Sequence, residues 1–221
     1  MSAPSDSCDV AIVGAGPAGM AAACVLAKGG LDVVVLDEQH APGGQIYKGV
    51  EKVFAERPQD VLPLGKEYAA GQALTRRFRE SGAQYRPGVS VWQITSDQEP
   101  ELALGLLEEG SARMLYPKHV ILATGAMERP VPFEGWTLPG VMTVGAAQTL
   151  LKSSRLLPRE DVVLAGTGPL LYLYANQIRD LGIMPQAILD TGPPLTLRSG
   201  LLGIEALLAC PKPVVQGMRW L

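Results

Sequence analysis

Cysteine is scarce in this chain. There are three in 221 residues, at positions 8, 24 and 210, and no two are spaced as Cys-x-x-Cys. That pattern gives no support to a zinc knuckle, a disulfide framework or a redox dithiol. It leaves three reduced thiols, as expected for a cytoplasmic protein, and no metal site. Basic blocks are also missing. Nineteen Lys and Arg face 22 Asp and Glu, for a net charge of −3, with no cluster of one sign, so a nucleic-acid partner is not expected. The start, MSAPSDSCDV, has neither the positive charge nor the apolar run of a secretory signal. The longest uncharged runs, Val10–Ala27, Gly135–Leu151 and Val162–Ile178, are all interrupted by glycine and proline. None reaches the ~20 predominantly apolar residues that a spanning helix needs. A soluble protein with no transmembrane segment follows as the expectation.

What is present is hydrophobic. Apolar residues make up 47% of the chain and charged residues 19%, which suits a buried α/β core. Val10–Val13 is a short apolar run of the kind found in parallel strands covered on both faces. Pro17 stands where a helix would start, at a position that tolerates a missing N–H. That helix should run to about Lys28, with Gly29 and Gly30 supplying a left-handed stop. Asp32–Leu36 is rich in β-branched residues and reads as a second strand, completing a βαβ unit. Further on, Pro63–Gly82 reads as one helix, with Leu74 and Phe78 inside and Arg76, Arg77 and Arg79 outside. Ala83–Thr95 reads as one strand. Glu101–Leu107 and Ala112–Tyr116 read as a hairpin around residues 108–111. His119–Thr124 reads as a separate buried strand, and Val144–Ser153 as a helix. A second βαβ unit follows, with strands at 161–165 and 186–190 around a helix at 169–181, and a helix near 200–209.

The first unit contains Gly14-Ala15-Gly16-Pro17-Ala18-Gly19, a Gly-x-Gly-x-x-Gly loop between strand and helix. Gly14 allows the tight turn, Gly16 lets a diphosphate approach the backbone, and Gly19 lets the helix pack against the strand. The N–H groups around Pro17 and Ala18 would then face the phosphates. Asp37 lies 23 positions after Gly14, at the end of the second strand, where its carboxylate can accept from a ribose diol; Glu38 is the neighbouring alternative. Gly43-Gly44 exposes bare backbone, and Gln45 carries both a donor and an acceptor. Trp92 is read as a packing residue, His40 and His119 as structural, and Glu128 and Arg129 as parts of a linker.

These motifs do not choose between FAD and NAD. The succession GAGPAG, VVVLDEQ, APGGQIY and HVILATGAMERPVPFEGWTLPGV resembles the two-dinucleotide-domain flavoproteins. Within them it most resembles the FAD-binding subunits of multi-subunit bacterial amine and opine dehydrogenases. The resemblance covers nearly the whole chain. It implies FAD held by Gly14, Gly16, Pro17, Ala18, Gly19 and Asp37 or Glu38 at its ADP half. It implies Gly43, Gly44 and Gln45 beside the ribityl and flavin, Val91 offering backbone to the adenine, and Ala123, Thr124 and Gly125 closing over the cofactor. It further implies a partner flavoprotein subunit in a hetero-oligomer and a small amine, imino-acid or opine substrate, with no catalytic residue to name in this chain.

The second loop is Gly166-Thr167-Gly168, with Leu171 in place of the third glycine and Asp190 placed 24 positions after Gly166. A leucine there should keep the helix further out or turn it. NAD(P) or ATP at Gly166, Gly168 and Asp190 is a weaker expectation than FAD at the first loop. The resulting fold class is α/β, with two Rossmann-like dinucleotide-binding domains, parallel sheets and a small β-meander. The second domain and the closing part of the first read as incomplete, as in an N-terminal portion of a longer protein. The expected division is 1–125 for the FAD-binding domain, with its meander at about 96–118, then 126–157 for a linker and crossing helix, and 158–221 for the second nucleotide domain. Two rival readings stay open: a non-enzymatic nucleotide-binding or assembly fragment, and an NAD(P)H-dependent disulfide reductase, which would need the missing Cys-x-x-Cys.

Overall fold

A computed structural model of the chain describes residues 6–96, 102–159 and 161–192. The chain divides into two compact units, Met1–Met127 and Glu128–Leu221.

The first unit is built on the expected βαβ core: β1 (Ser7–Val13), α1 (Pro17–Lys28) and β2 (Val33–Asp37). β1 and β2 run parallel, Val10 opposite Val33 through Val13 opposite Leu36. Every residue of β2 is buried, because both faces of the sheet are covered. Val33 and Val35 meet Val10, Ile12, Met20, Ala23 and Phe78 on the helical side. Val34 and Leu36 meet Ala11, Leu104, Leu106 and Leu115 on the other. The strand's side-chain alternation thus serves two cores at once, which is why its sequence shows no polar alternation. α1 ends as expected, except that Gly29 stays right-handed (φ −73°) and Gly30 (φ 82°) supplies the left-handed stop.

Between β2 and the next strand the chain is more broken than its sequence suggests. α2 (Val50–Glu56) has no counterpart in the sequence pattern, and the single helix expected over 63–82 is two: α3 (Val61–Leu64) and α4 (Lys66–Arg79). Gly65 separates them at φ 98°, a conformation no helix can contain. α4 buries Tyr68, Gly71, Thr75 and Phe78 and exposes Arg76, Arg77 and Arg79. Phe78 meets Tyr85 edge to face, with ring centroids 5.4 Å apart.

The one strand expected over 83–95 is also two, β3 (Gln84–Pro87) and β4 (Ser90–Thr95), turned at Gly88 (φ 73°). β3 joins β2 in parallel, whereas β4 leaves to pair antiparallel with β5 (Ala103–Glu108). Trp92 is 59% exposed, and its ring lies over Gly105 of β5, where a side chain would meet it.

The hairpin then returns as β6 (Ser111–Leu122), and here the expectation is corrected. The second hairpin strand and the separate strand at 119–124 are one continuous strand. Residues 111–115 pair antiparallel with β5, and residues from Tyr116 onward pair parallel with β1. Pro117 suggests a break that does not occur. Tyr116 N–H donates to Asp6, so strand alternation points the nitrogen of Pro117 to the opposite edge, past the last position paired with β5. No ladder bond is lost there. The far half of β6 is also less buried than expected: Val120 and Ile121 are half-buried, and Leu122 is 66% exposed. The sheet order is β3-β2-β1-β6-β5-β4.

A bidentate ion pair ties β3 to the start of β1: Arg86 donates to both carboxylate oxygens of Asp6, at 2.7 and 2.9 Å. The guanidinium holds the Asp6 carboxyl below its ordinary 3.8. A depressed carboxyl contributes stability that is complete above the unfolded value and lost as pH falls through the folded one. The urea midpoint should therefore drop as pH is lowered from 5 toward 2. Arg86→Ala should lower the midpoint at pH 5 and flatten that acid limb, measured by tryptophan fluorescence.

In the second unit, α5 (Val144–Ser154) starts at Thr143, whose hydroxyl oxygen accepts from Ala146 N–H. Glu128 adds a second cap, accepting from Gly145 N–H at 2.7 Å. Glu128, read from the sequence as part of a linker, thus also serves the start of the helix that follows, where a carboxylate meets free N–H groups. The second βαβ unit is β7 (Val163–Gly166), α6 (Pro169–Asp180) and β8 (Ala187–Asp190), with β7 and β8 parallel. Helices α5 and α6 share a buried polar chain: Lys152 Nζ donates to Gln148, and Gln148 donates to Gln177, at 2.8 and 3.0 Å. Burial lowers the Lys152 ammonium to about 8. The helix expected near 200–209 lies outside the described residues. Among the described residues no helix is long and apolar enough to cross a membrane.

Candidate dinucleotide site

Four segments meet at the carboxyl ends of β1, β2 and β6. Gly14 follows β1 at φ 105°, and its N–H donates to the Leu36 carbonyl of β2 at 2.7 Å. A side chain on Gly14 would run into the carbonyl of Ala123, directly after β6. A side chain on Gly19 would run into the carbonyl of Gly14, so this glycine is what lets α1 lie against β1. Gly16 differs from both. Its φ is −72°, and a Cβ there would have its nearest neighbour, Gly44 Cα, at 3.9 Å. The space beside Gly16 is therefore open, and neither its φ nor a clash with the rest of the chain requires a glycine there.

Ala15 pins the loop. Its N–H donates to Asp37 Oδ2 at 2.5 Å, and its carbonyl accepts from Gly43 N–H at 2.9 Å. The Asp37 carboxylate also accepts Gln39 N–H, on Oδ1, at 2.7 Å, and the residue is only 8% exposed. Each of its oxygens retains a lone pair for a further donor. Glu38 is exposed beside it. Gly43 and Gly44, both at positive φ, bring their backbone against the loop: a side chain on Gly44 would lie 2.9 Å from Gly16 Cα. Gln45 donates from Nε2 to the Ala126 carbonyl at 2.9 Å, joining this loop to the segment that holds Ala123, Thr124 and Gly125. Thr124 and Gly125 are exposed at the mouth. Val89 N–H donates to the Asp37 carbonyl, so β4, which carries Val91, begins next to the acid.

The electrostatics favour an anion. No side chain caps the start of α1, Pro17 fills its first position, and its first turn holds no acid. The helix thus presents unpaired N–H groups and the positive end of its dipole toward the open side of Gly16. Among the described residues no group of His, Cys, Asp and Glu could hold a metal ion. Cys8 is buried, and desolvation followed by nearby Asp32 and Asp6 pushes its thiol up to about 11, which makes it a structural thiol.

One support of this site is absent from the sequence expectations. Tyr47 packs against Gly71 of α4, where any side chain would strike its ring, and the Tyr47 N–H donates to the Gly43 carbonyl. A glycine inside an amphipathic helix is the signal that points to it. Gly166, Gly168 and Asp190 belong to the second unit. There a bond from the Tyr172 hydroxyl to Asp190 is likewise unforeseen.

A mostly parallel sheet, a glycine turn into an uncapped helix and an acid ending the next strand define a Rossmann-type dinucleotide-binding fold. The comparisons agree. The model of the pyridine nucleotide-disulphide oxidoreductase family matches residues 8–193, and the chain belongs to that family. It is 43% identical over 217 residues to the A subunit of opine oxidase from Rhizobium meliloti, covering 96% of this chain and 40% of that one. It is 38% identical over 173 residues to the HcnB subunit of hydrogen cyanide synthase from Pseudomonas aeruginosa, covering 78% and 36%. The crystal structure of L-proline dehydrogenase from P. horikoshii shares the fold, with a TM-score of 0.68 at 22% identity over 86% of this chain and 37% of that one. The chain thus spans about two fifths of the length of these relatives.

Proposed function

We propose that the first unit binds FAD and that the protein is the flavin-carrying part of a multi-subunit enzyme that oxidises a C–N bond in an amine, imino acid or opine. A partner flavoprotein subunit would complete it, working in the cytoplasm. The second unit would be the start of a second nucleotide-binding domain. The observation that carries this reading is the open space beside Gly16, set between the uncapped start of α1 and the Gly43-Gly44 backbone. The names of the relatives, an opine oxidase and a hydrogen cyanide synthase, support the choice of chemistry. Free Cys8 and Cys24 suit a reducing compartment.

The residues present fit this cofactor. The α1 start and Gly16 would hold the diphosphate, and Ala18 and Gly19 would contribute N–H groups. Asp37 would accept from the ribose, with Glu38 at its flank, and the start of β4 at Val91 would meet the adenine. Gly43, Gly44 and Gln45 would border the ring system, with Ala123, Thr124 and Gly125 opposite. When bound, the isoalloxazine supplies acceptance and onward transfer of the electron pair; the protein contributes position and field. Gln45, held to the Ala126 carbonyl, keeps the two walls of the mouth joined.

The purified protein should be yellow, with a visible flavin spectrum near one equivalent of FAD per chain after acid release and quantitation. A folded but colourless protein that takes up no added FAD would overturn this reading and leave an assembly role in its place.

A further inference from the structure

The two glycine loops treat their acids differently. In the first unit, Asp37 accepts an N–H from the loop itself, and Met20, the residue after the third loop position, is fully buried. In the second unit the matching acid, Asp190, is exposed, and its Oδ2 accepts the hydroxyl of Tyr172, the residue matching Met20. Its Oδ1 accepts Gly192 N–H at 2.7 Å. The loop is otherwise open: among the described residues, no atom lies within 4 Å of a Cβ placed on Gly166 or Gly168.

Leu171 accounts for the change. It takes the third glycine's place and is 3% exposed. α6 buries Leu171, Tyr174, Ala175 and Ile178, whereas α1 buries Gly19, Met20 and Ala23. Seating the leucine in the core turns the buried stripe of α6 away from position 172. The tyrosine is left on the flank that faces the end of β8.

We propose that Tyr172 is a latch on the second loop and its selectivity residue: its hydroxyl occupies the carboxylate that a ribose diol would use, so an adenine nucleotide seats only after that bond opens. A ribose diol donates two hydroxyls to one carboxylate. The Gly192 N–H on Oδ1 matches the Gln39 N–H on Asp37, so what sets Asp190 apart is that a side-chain hydroxyl, and not a backbone N–H of the loop, stands on Oδ2. The Tyr172 bond also holds the Asp190 carboxyl below its ordinary value and pushes the tyrosine hydroxyl up, so the pair keeps its protons unchanged across neutral pH. The latch therefore responds to a competing ligand and not to acidity. This inference is independent of the flavin reading of the first unit.

Tyr172→Phe tests it, because it deletes the donor and keeps the ring on a half-exposed position. The purified protein and the variant are titrated calorimetrically with NADH, NADPH and ATP in turn. At least one of the three should bind the variant tenfold or more tightly than the parent, and the gain should vanish in Tyr172→Phe/Asp190→Ala. Equal or weaker binding by Tyr172→Phe, including no detectable binding by either protein, overturns the proposal. So does a gain that survives loss of Asp190. FAD content measured on the same samples reports the first loop separately.

Discussion

Gly19→Ala is expected to cost about 3 kcal/mol of stability and to abolish flavin retention. The added methyl would overlap the Gly14 carbonyl and lie 3.3 Å from Ile12 Cγ2. The loop has nowhere to retreat. Gly14 is fixed at φ 105°, its N–H is held by Leu36, and its far side is closed by the Ala123 carbonyl. α1 must then lift off β1, opening the core formed by Ile12, Met20 and Ala23. Urea unfolding reads the first effect and bound-flavin absorbance the second. Gly16→Ala separates packing from binding. Its methyl meets open space at an ordinary φ, so stability should change by only about 1 kcal/mol or less. Flavin affinity should nevertheless fall at least tenfold, since that space is the one assigned to the diphosphate. If Gly16→Ala binds flavin as well as the parent, that assignment is wrong.

Asp37→Ala should cost about 2–3 kcal/mol and release the flavin. The carboxylate accepts two backbone N–H groups, one from the loop and one from its own strand end. Charge-assisted bonds of this kind are stronger than neutral ones, and the Ala15 donor would be left buried without an acceptor. Asp37→Asn offers one oxygen to two donors and should fall between parent and alanine in both readouts. Equilibrium unfolding and flavin dissociation constants, measured on all three proteins, check the order. Full flavin occupancy in Asp37→Ala would remove this residue from the ribose site.

Much of the first unit is legible because local and long-range demands coincide there. The glycine spacing, Pro17 and the unbroken apolar run of β2 each state a backbone requirement that only one arrangement satisfies. What escapes the sequence depends on partners far along the chain. Pro117 looks like a strand end because its sequence does not say that its nitrogen faces an edge free of ladder bonds. Gly65 and Gly88 look like ordinary members of a helix and a strand, since the positive φ that makes each a breakpoint is set by the elements on either side. Glu128 can be seen as a charge, but not as the cap of a helix that starts 16 residues later. The latch at Asp190 is half visible. Leu171 stands out as a departure, and the turn it imposes on α6 is expected in kind, whereas the hydroxyl it brings to the acid is not.

The continuity of β6 has a mechanical consequence. At ~3.3 Å per residue, its 12 residues form a rod roughly 40 Å long. One end is the hairpin turn at Glu109 and Gly110, and the other delivers Ala123 against Gly14. The antiparallel ribbon and the parallel layer therefore share a single beam. A displacement of the hairpin thus reaches, through one unbroken strand, the residue that closes the far side of Gly14.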